Sequence, residues 1–114
     1  MKRGDIFTMS GGPGYAGKPR PVAIVQSDDF DQTASVTICP FTSNEIEAPL
    51  FRLPIVADGR NGLRSTSQLM VDKITTVARS KLDTFVGSLA EADLVRLNRS
   101  TIVFLGLSGA RRRM

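Results

Sequence analysis

Pro21-Val22-Ala23-Ile24-Val25-Gln26 and, a short polar segment later, Ser35-Val36-Thr37-Ile38-Cys39-Pro40-Phe41-Thr42 carry the decision about the fold. The first is an unbroken apolar run of strand length ending in glutamine, the pattern of a strand buried on both faces. The second is rich in β-branched residues, and the alternation of Val36 and Ile38 aims one set of side chains at one face. Pro40 has no amide hydrogen to give to a ladder, which predicts a bulge or an edge there. Between the runs, Ser27-Asp28-Asp29 supplies oxygen acceptors that can cap a short turn or helix over Phe30 to Gln32.

Working outward, Gly4 to Thr8 reads as a short strand with Ile6 and Phe7 apolar. Gly11 to Pro19 holds four glycines and two prolines, which makes a loop. It is longer than a plain hairpin needs, and long loops often carry function. No Gly-Lys-Ser/Thr follows, so it is not a Walker phosphate loop. On the other side, Phe51 to Val56 predicts a strand and Asp58-Gly59-Arg60-Asn61-Gly62 a turn. Ser67 to Ala78 predicts a strand or a bent strand pair, and Thr84-Phe85-Val86 a short last strand.

A helix follows. Ser88-Leu89-Ala90-Glu91 reads as a capping box, with the serine hydroxyl accepting from the Glu91 amide. Glu91 and Asp93 suit the positive start of the helix, and Arg96 and Arg99 lie further along. Leu94, Leu97, Thr101, Phe104 and Leu105 recur at helical spacing as a core-facing stripe. Gly106 is the expected stop, with Gly109 a second candidate. Short strands followed by one helix predict a mainly β protein, a small barrel with a C-terminal α-helix.

The chain has 114 residues, enough for one domain, taken as 1–110 with a basic tail at 111–114. So small a domain leaves much surface exposed, and a dimer interface would supplement its core. Hydrophobic residues are 41% and charged residues 23%, the balance of a soluble globular protein. No apolar run is long enough to span a bilayer, and Met1-Lys2-Arg3-Gly4-Asp5 lacks the apolar core of a signal peptide. The expected location is the cytoplasm. Cys39 is the single cysteine, so no internal disulfide is possible. The net charge is +4, but Arg111, Arg112 and Arg113 supply three of those charges and the body is near neutral at +1. That tail is a solvated terminus or a means of steering a polyanion.

Absences narrow the chemistry. The chain has no histidine, so it can build neither an imidazole acid–base pair nor a His-containing triad. Without histidine and with one cysteine there is no ordinary zinc ligand set. No metal and no cofactor are expected. With no tryptophan and one tyrosine, few platforms remain for stacking bases. Phe30, Phe41 and Phe51 are candidates for that role or for the core.

Four segments, in this order and spacing, resemble the MazF/PemK (Kid-like) toxins of toxin–antitoxin pairs over nearly the whole chain. They are Lys2-Arg3-Gly4-Asp5-Ile6-Phe7; Gly17-Lys18-Pro19-Arg20-Pro21-Val22 running on to Gln26; Ser67-Gln68-Leu69-Met70-Val71-Asp72-Lys73 running on to Val77; and Val86-Gly87-Ser88-Leu89 with a helix ending Phe104-Leu105-Gly106-Leu107. The resemblance implies an SH3-like β-barrel that forms a homodimer, cuts single-stranded RNA at short sequences and is silenced by a cognate antitoxin. It also implies an acidic, partly apolar antitoxin segment that competes for the RNA groove.

The family's catalytic arginine matches Arg20, its strand-ending threonine matches Thr42, and an aspartate of Kid-type members matches Asp72. Those members also carry an arginine two residues before that aspartate, where this chain has Met70.

Metal-free cleavage needs the ribose 2′-OH to attack the adjacent phosphorus while negative charge builds on the non-bridging oxygens. Arg20 suits that oxyanion through paired N–H donors, and the Thr42 hydroxyl adds another hydrogen bond. Arginine stays protonated, so a general-base role sits badly with Arg20: either Asp72 is the base, if it is near, or Arg20 acts mainly as acid and charge stabiliser. Lys18, Ser43, Ser65, Ser67 and Gln68 are the candidate RNA contacts. Each candidate also has a plainer reading: Arg20 as a surface arginine between prolines, Thr42 as a strand end. Asp72 can likewise be a surface ion pair with Lys73 or Arg79, and Ser65 to Gln68 a solvated turn. The competing class is a CcdB-like toxin that inhibits DNA gyrase by protein contact. Such toxins depend on a tryptophan near the C-terminal end, which is absent here.

Overall fold

The computed structural model describes residues 1–10, 19–107 and 109. Among these, seven strands and one helix follow one another: β1 (Asp5–Met9), β2 (Arg20–Ile24), β3 (Ser35–Thr42), β4 (Arg52–Ile55), β5 (Ser67–Met70), β6 (Thr75–Ala78), β7 (Leu82–Ser88) and α1 (Glu91–Phe104). The strands form one antiparallel sheet in the order β4-β5-β3-β2-β1-β7, with β6 pairing with β3 off that path. The sheet is barrel-like but not closed. A mainly β fold with a C-terminal helix is what the sequence predicted.

Alternation along the strands explains the packing. Ala23 and Cys39 join a core with Ile6, Phe41, Leu53, Ile55, Leu69, Val71 and, from the helix, Leu97. Their neighbours Val22, Ile24, Val36 and Ile38 point the other way, into a second cluster with Met9. Both faces of β2 and β3 are therefore covered, which is why β2 reads as a continuous apolar run. Fully burying each such aliphatic side chain stabilises the fold by about 1.5–3 kcal/mol.

β3 pairs with β2 on one side. On the other it pairs first with β6, from Ser35↔Ala78 to Ile38↔Thr75, and then with β5, at Phe41↔Leu69 and Thr42↔Gln68. Pro40 sits in the gap between those two partners while still opposing Val22 on the β2 side. A residue without an amide hydrogen is tolerated where one edge of the strand changes neighbours. The segment 67–78 is indeed a bent strand pair, broken by a 3₁₀ turn at Val71–Lys73.

Several local expectations hold. The capped turn after β2 is present, two residues earlier than the expected Phe30 to Gln32: a 3₁₀ turn at Asp28–Phe30 with the Ser27 hydroxyl accepting from the Asp29 amide. The helix stops at Gly106, whose φ is +72°. There the Gly106 amide donates to Val103 O and the Leu107 amide to Ile102 O, the Schellman pattern.

Other expectations are corrected. Ser88 is not the helix cap: it ends β7, and its hydroxyl donates to Asp5 Oδ1 at 2.9 Å. The Ser88 and Leu89 amides go to Arg60 O and Gly4 O, so the sheet claims the backbone up to Leu89 and Ala90 becomes an N-cap with no side-chain bond. The helical stripe is also narrower than its spacing suggested. Leu97 and Ser100 are buried, but Phe104 and Leu105 are 46% and 58% exposed. Of the three candidate aromatics, Phe41 is buried, Phe51 packs on Phe104 with ring centroids 5.8 Å apart, and Phe30 is 60% exposed. No helix is long and apolar enough to cross a membrane among the described residues.

Candidate active site

Arg20 opens β2 and Thr42 closes β3, so both stand at the same end of the sheet. The β2–β3 ladder pairs Ile24 with Ile38, Ala23 with Cys39 and Val22 with Pro40. Carried two residues further, the same register sets Arg20 level with Thr42, on the side of the sheet shared by Val22 and Pro40. Arg20 is exposed and also opposes Met9 of β1. Thr42 is half-buried, and its Oγ1 accepts from the Asn44 amide at 3.1 Å. That bond fixes the hydroxyl oxygen at the root of the loop that follows β3. The hydroxyl hydrogen stays available for a further acceptor.

The other candidates differ in what their side chains do. Gln68 lies opposite Thr42 on β5, is buried, and clasps the backbone of Ile46 from both sides. Its Nε2 donates to Ile46 O at 2.9 Å, and the Ile46 amide donates to its Oε1 at 3.1 Å. Ser67 is buried too, and its hydroxyl donates to Ser65 O at 3.1 Å. Ser67 and Gln68 are therefore not part of a solvated turn, as the plainer reading had it. They hold the loops on either side of β5. Ser43 and Ser65 are exposed near that end of the sheet. Lys18 and the glycine-rich loop from Gly11 lie outside the described residues.

Asp72 is paired with neither Lys73 nor Arg79. Both of its carboxylate oxygens are gripped by Arg52, Nε to Oδ1 at 2.8 Å and Nη2 to Oδ2 at 3.1 Å. The hydrogen bond from Arg52 holds the Asp72 carboxyl below the usual carboxylate range, and burial opposes that shift without cancelling it. The same bond raises the Arg52 pKa above its ordinary value. Arg52 was not legible as a site residue. It stands directly opposite Met70 in the β4–β5 ladder, so the guanidinium beside Asp72 comes from the neighbouring strand. Strand register supplies that relation, and no motif announces it.

The loop after Thr42 is well anchored. Besides the Gln68 clasp, the Phe51 and Arg52 amides both donate to Ala48 O, and the Ser100 hydroxyl of α1 donates to Leu50 O. Arg96 of the same helix donates to Pro54 O at 3.0 Å. The loop borders a cavity of about 420 Å³ walled by Arg52 and Gln68, among others.

An open, barrel-like antiparallel sheet backed by one helix, with an arginine and a threonine level on neighbouring strand ends, defines the class of small β-barrel toxins that the sequence resembles. The comparisons make the assignment. Residues 2–105 match the model of the PemK-like, MazF-like toxins of type II toxin–antitoxin systems, and the chain belongs to that family. A relative from Mycolicibacterium smegmatis, named probable endoribonuclease MazF, is 53% identical over 109 residues, covering 96% of this chain and 100% of its own. Among solved structures, an endoribonuclease in complex with its cognate antitoxin from a mycobacterial species superposes with a TM-score of 0.79 at 22% identity, over 96% of this chain and 98% of that one. The Mycobacterium tuberculosis toxin MazF-mt6 gives 0.77 at 22% identity, over 92% and 99%. A MazE–MazF complex from Deinococcus radiodurans gives 0.74 at 16% identity, over 93% and 96%. The structural matches speak to the fold, and these findings lend the gyrase-binding alternative no support.

Proposed function

We propose that this chain is the toxin of a toxin–antitoxin pair and acts as an endoribonuclease that cuts single-stranded RNA without a metal, with Arg20 and Thr42 as its catalytic residues. The observation that carries the site is the β2–β3 register, which brings the two level at one end of the sheet. Family membership and the 53% identical relative named as an endoribonuclease support the activity.

In this reading the 2′-hydroxyl gives its proton to water as its oxygen attacks phosphorus, the bond to the 5′-oxygen breaks and that oxygen takes a proton from water, so that the products are a 2′,3′-cyclic phosphate and a 5′-hydroxyl. Arg20 presents paired N–H donors to the non-bridging oxygens, and the Thr42 hydroxyl donates to one of them. Asp72 serves as the anchor of Arg52. A carboxylate gripped at both oxygens and held at low pKa is a poor proton acceptor at neutral pH. Ser43, Ser65 and Lys18 contact the RNA strand, while Ser67 and Gln68 shape the groove from beneath. The working form is a homodimer, and the cognate antitoxin silences it by occupying the same groove. The structure solved with its cognate antitoxin supports that partner.

The test is incubation with a long single-stranded RNA in EDTA, with mapping of the ends. Sequence-specific cuts bearing cyclic phosphates are expected. The same sequence as DNA, which lacks the 2′-OH, stays intact. Arg20→Ala is expected to remove cleavage while leaving the fold unchanged by circular dichroism. Cleavage that needs added metal, or that survives Arg20→Ala at full rate, refutes the reading.

A further inference from the structure

The cavity beside the loop after Thr42 has a definite chemistry. Its wall includes Glu45, Ile46, Glu47, Pro49, Arg52 and Gln68, and its volume of about 420 Å³ suits a small ligand. Glu45 and Glu47 are exposed carboxylates at its rim. Arg52 is only 9% exposed. Asp72 takes its Nε and Nη2, and its Nη1 makes no hydrogen bond among the described residues. The guanidinium is locked in place by a carboxylate, and its remaining nitrogen faces the open cavity, where it can donate to a ligand acceptor. The Arg52 charge is already balanced by Asp72. The two glutamates therefore leave the cavity negative, which repels a phosphate seated within it and favours a group rich in N–H donors.

The cavity is also preformed, because the Gln68 clasp on Ile46 and the Ser100 bond to Leu50 hold the loop. It adjoins the cutting site, since its Gln68 wall is the direct partner of Thr42.

We propose that this cavity holds one base of the RNA next to the cut, and that the base is guanine. Arg52 Nη1 donates to O6, and a glutamate carboxylate accepts N1–H and N2–H together. Guanine is the base whose pairing edge sets one acceptor beside two adjacent donors, the complement of a guanidinium beside a carboxylate. This rests on the RNA-cutting reading and adds to it a substrate preference that Glu45, Glu47 and Arg52 determine.

A randomised single-stranded RNA pool, cut by the full-length protein and sequenced at its new ends, tests it. The wild type is expected to show guanine fixed at one position beside the cut. In the Glu45→Gln, Glu47→Gln double variant the preference there should fall by about tenfold or more, with other positions unchanged. Inosine at that position, which lacks the N2 amine, should slow the wild type by about tenfold and leave the double variant unaffected. Both glutamates are surface residues, and circular dichroism checks that the variant is folded.

No guanine beside the cut, or an unchanged preference in the double variant, overturns the proposal. So does an unchanged preference combined with weaker binding of a basic peptide, which would assign the cavity to a protein partner. Absence of any cutting by the wild type is a different result, because it removes the nuclease reading itself.

Discussion

Replacing Asp72 by asparagine removes the charge from the ion pair with Arg52, whose two bonds measure 2.8 and 3.1 Å. Breaking a buried pair at one partner costs about 3–5 kcal/mol, because the other charge stays buried without compensation. Here the Arg52 side chain is 10% accessible and that of Asp72 23%, so water reaches part of the pair. Asparagine also keeps one acceptor, and the expected loss is about 2–3 kcal/mol. With a urea slope of about 1–3 kcal/mol per molar, the unfolding midpoint falls by about 0.7–3 M.

The pH dependence follows from the same pair. The folded-state pKa of Asp72 is depressed. Its stabilisation is therefore fully present above the unfolded value of about 3.9 and is lost as pH falls through the folded value. Once Asp72 is protonated, the wild type has the same uncompensated guanidinium as Asp72→Asn. The gap between the two proteins is thus full at neutral pH and closes in acid. Urea titrations followed by far-ultraviolet circular dichroism measure it, at one protein concentration so that any self-association is held constant. A gap below about 0.5 kcal/mol at neutral pH, the level of an exposed pair, would refute the reasoning. A gap that does not narrow in acid would refute it equally.

Thr42→Val removes the hydroxyl while keeping the shape, and cleavage of single-stranded RNA is expected to slow by about tenfold to a thousandfold. The lost acceptor for the Asn44 amide at 3.1 Å lowers stability by about 1 kcal/mol, read by urea unfolding. Gly62→Ala places a methyl group 2.3 Å from Val86 O at a φ of +69°, so the melting temperature should drop by an amount equivalent to about 2 kcal/mol or more. The Cys39 thiol is buried, and burial, with the Asp72 charge behind it, pushes its pKa to about 12. It should resist a thiol reagent in the native protein at neutral pH and react fully in denaturant, as a timed labelling series would record.

How far the residues alone led depended on the range of the interaction. β2, β3 and the 67–78 bend were legible because apolar runs, β-branched alternation and Pro40 are local signals. The stop at Gly106 was legible for the same reason. The Ser88 capping box failed because its reading ignored that Asp5, Arg60 and Gly4 compete for the same groups across the sheet. Arg20 and Thr42 were found by resemblance, and only the strand register relates them in space. Arg52 escaped notice because its partner lies 20 positions away. Gln68 was noticed as polar, but its grip on Ile46 depends on a contact that the sequence does not display.

β3 is bordered on both sides, by β2 along one edge and by β6 and then β5 along the other. β4, β6 and β7 each have one partner among the described strands. In amide hydrogen exchange the outer strands should therefore fray early, while the amides of β3 give up their protons only when the whole molecule opens. Thr42, at the tip of that strand, is held by its pairing with Gln68 of β5, a strand that itself has neighbours on both sides. On the proposed reading, the outer strands could loosen while the threonine's place in the sheet persisted.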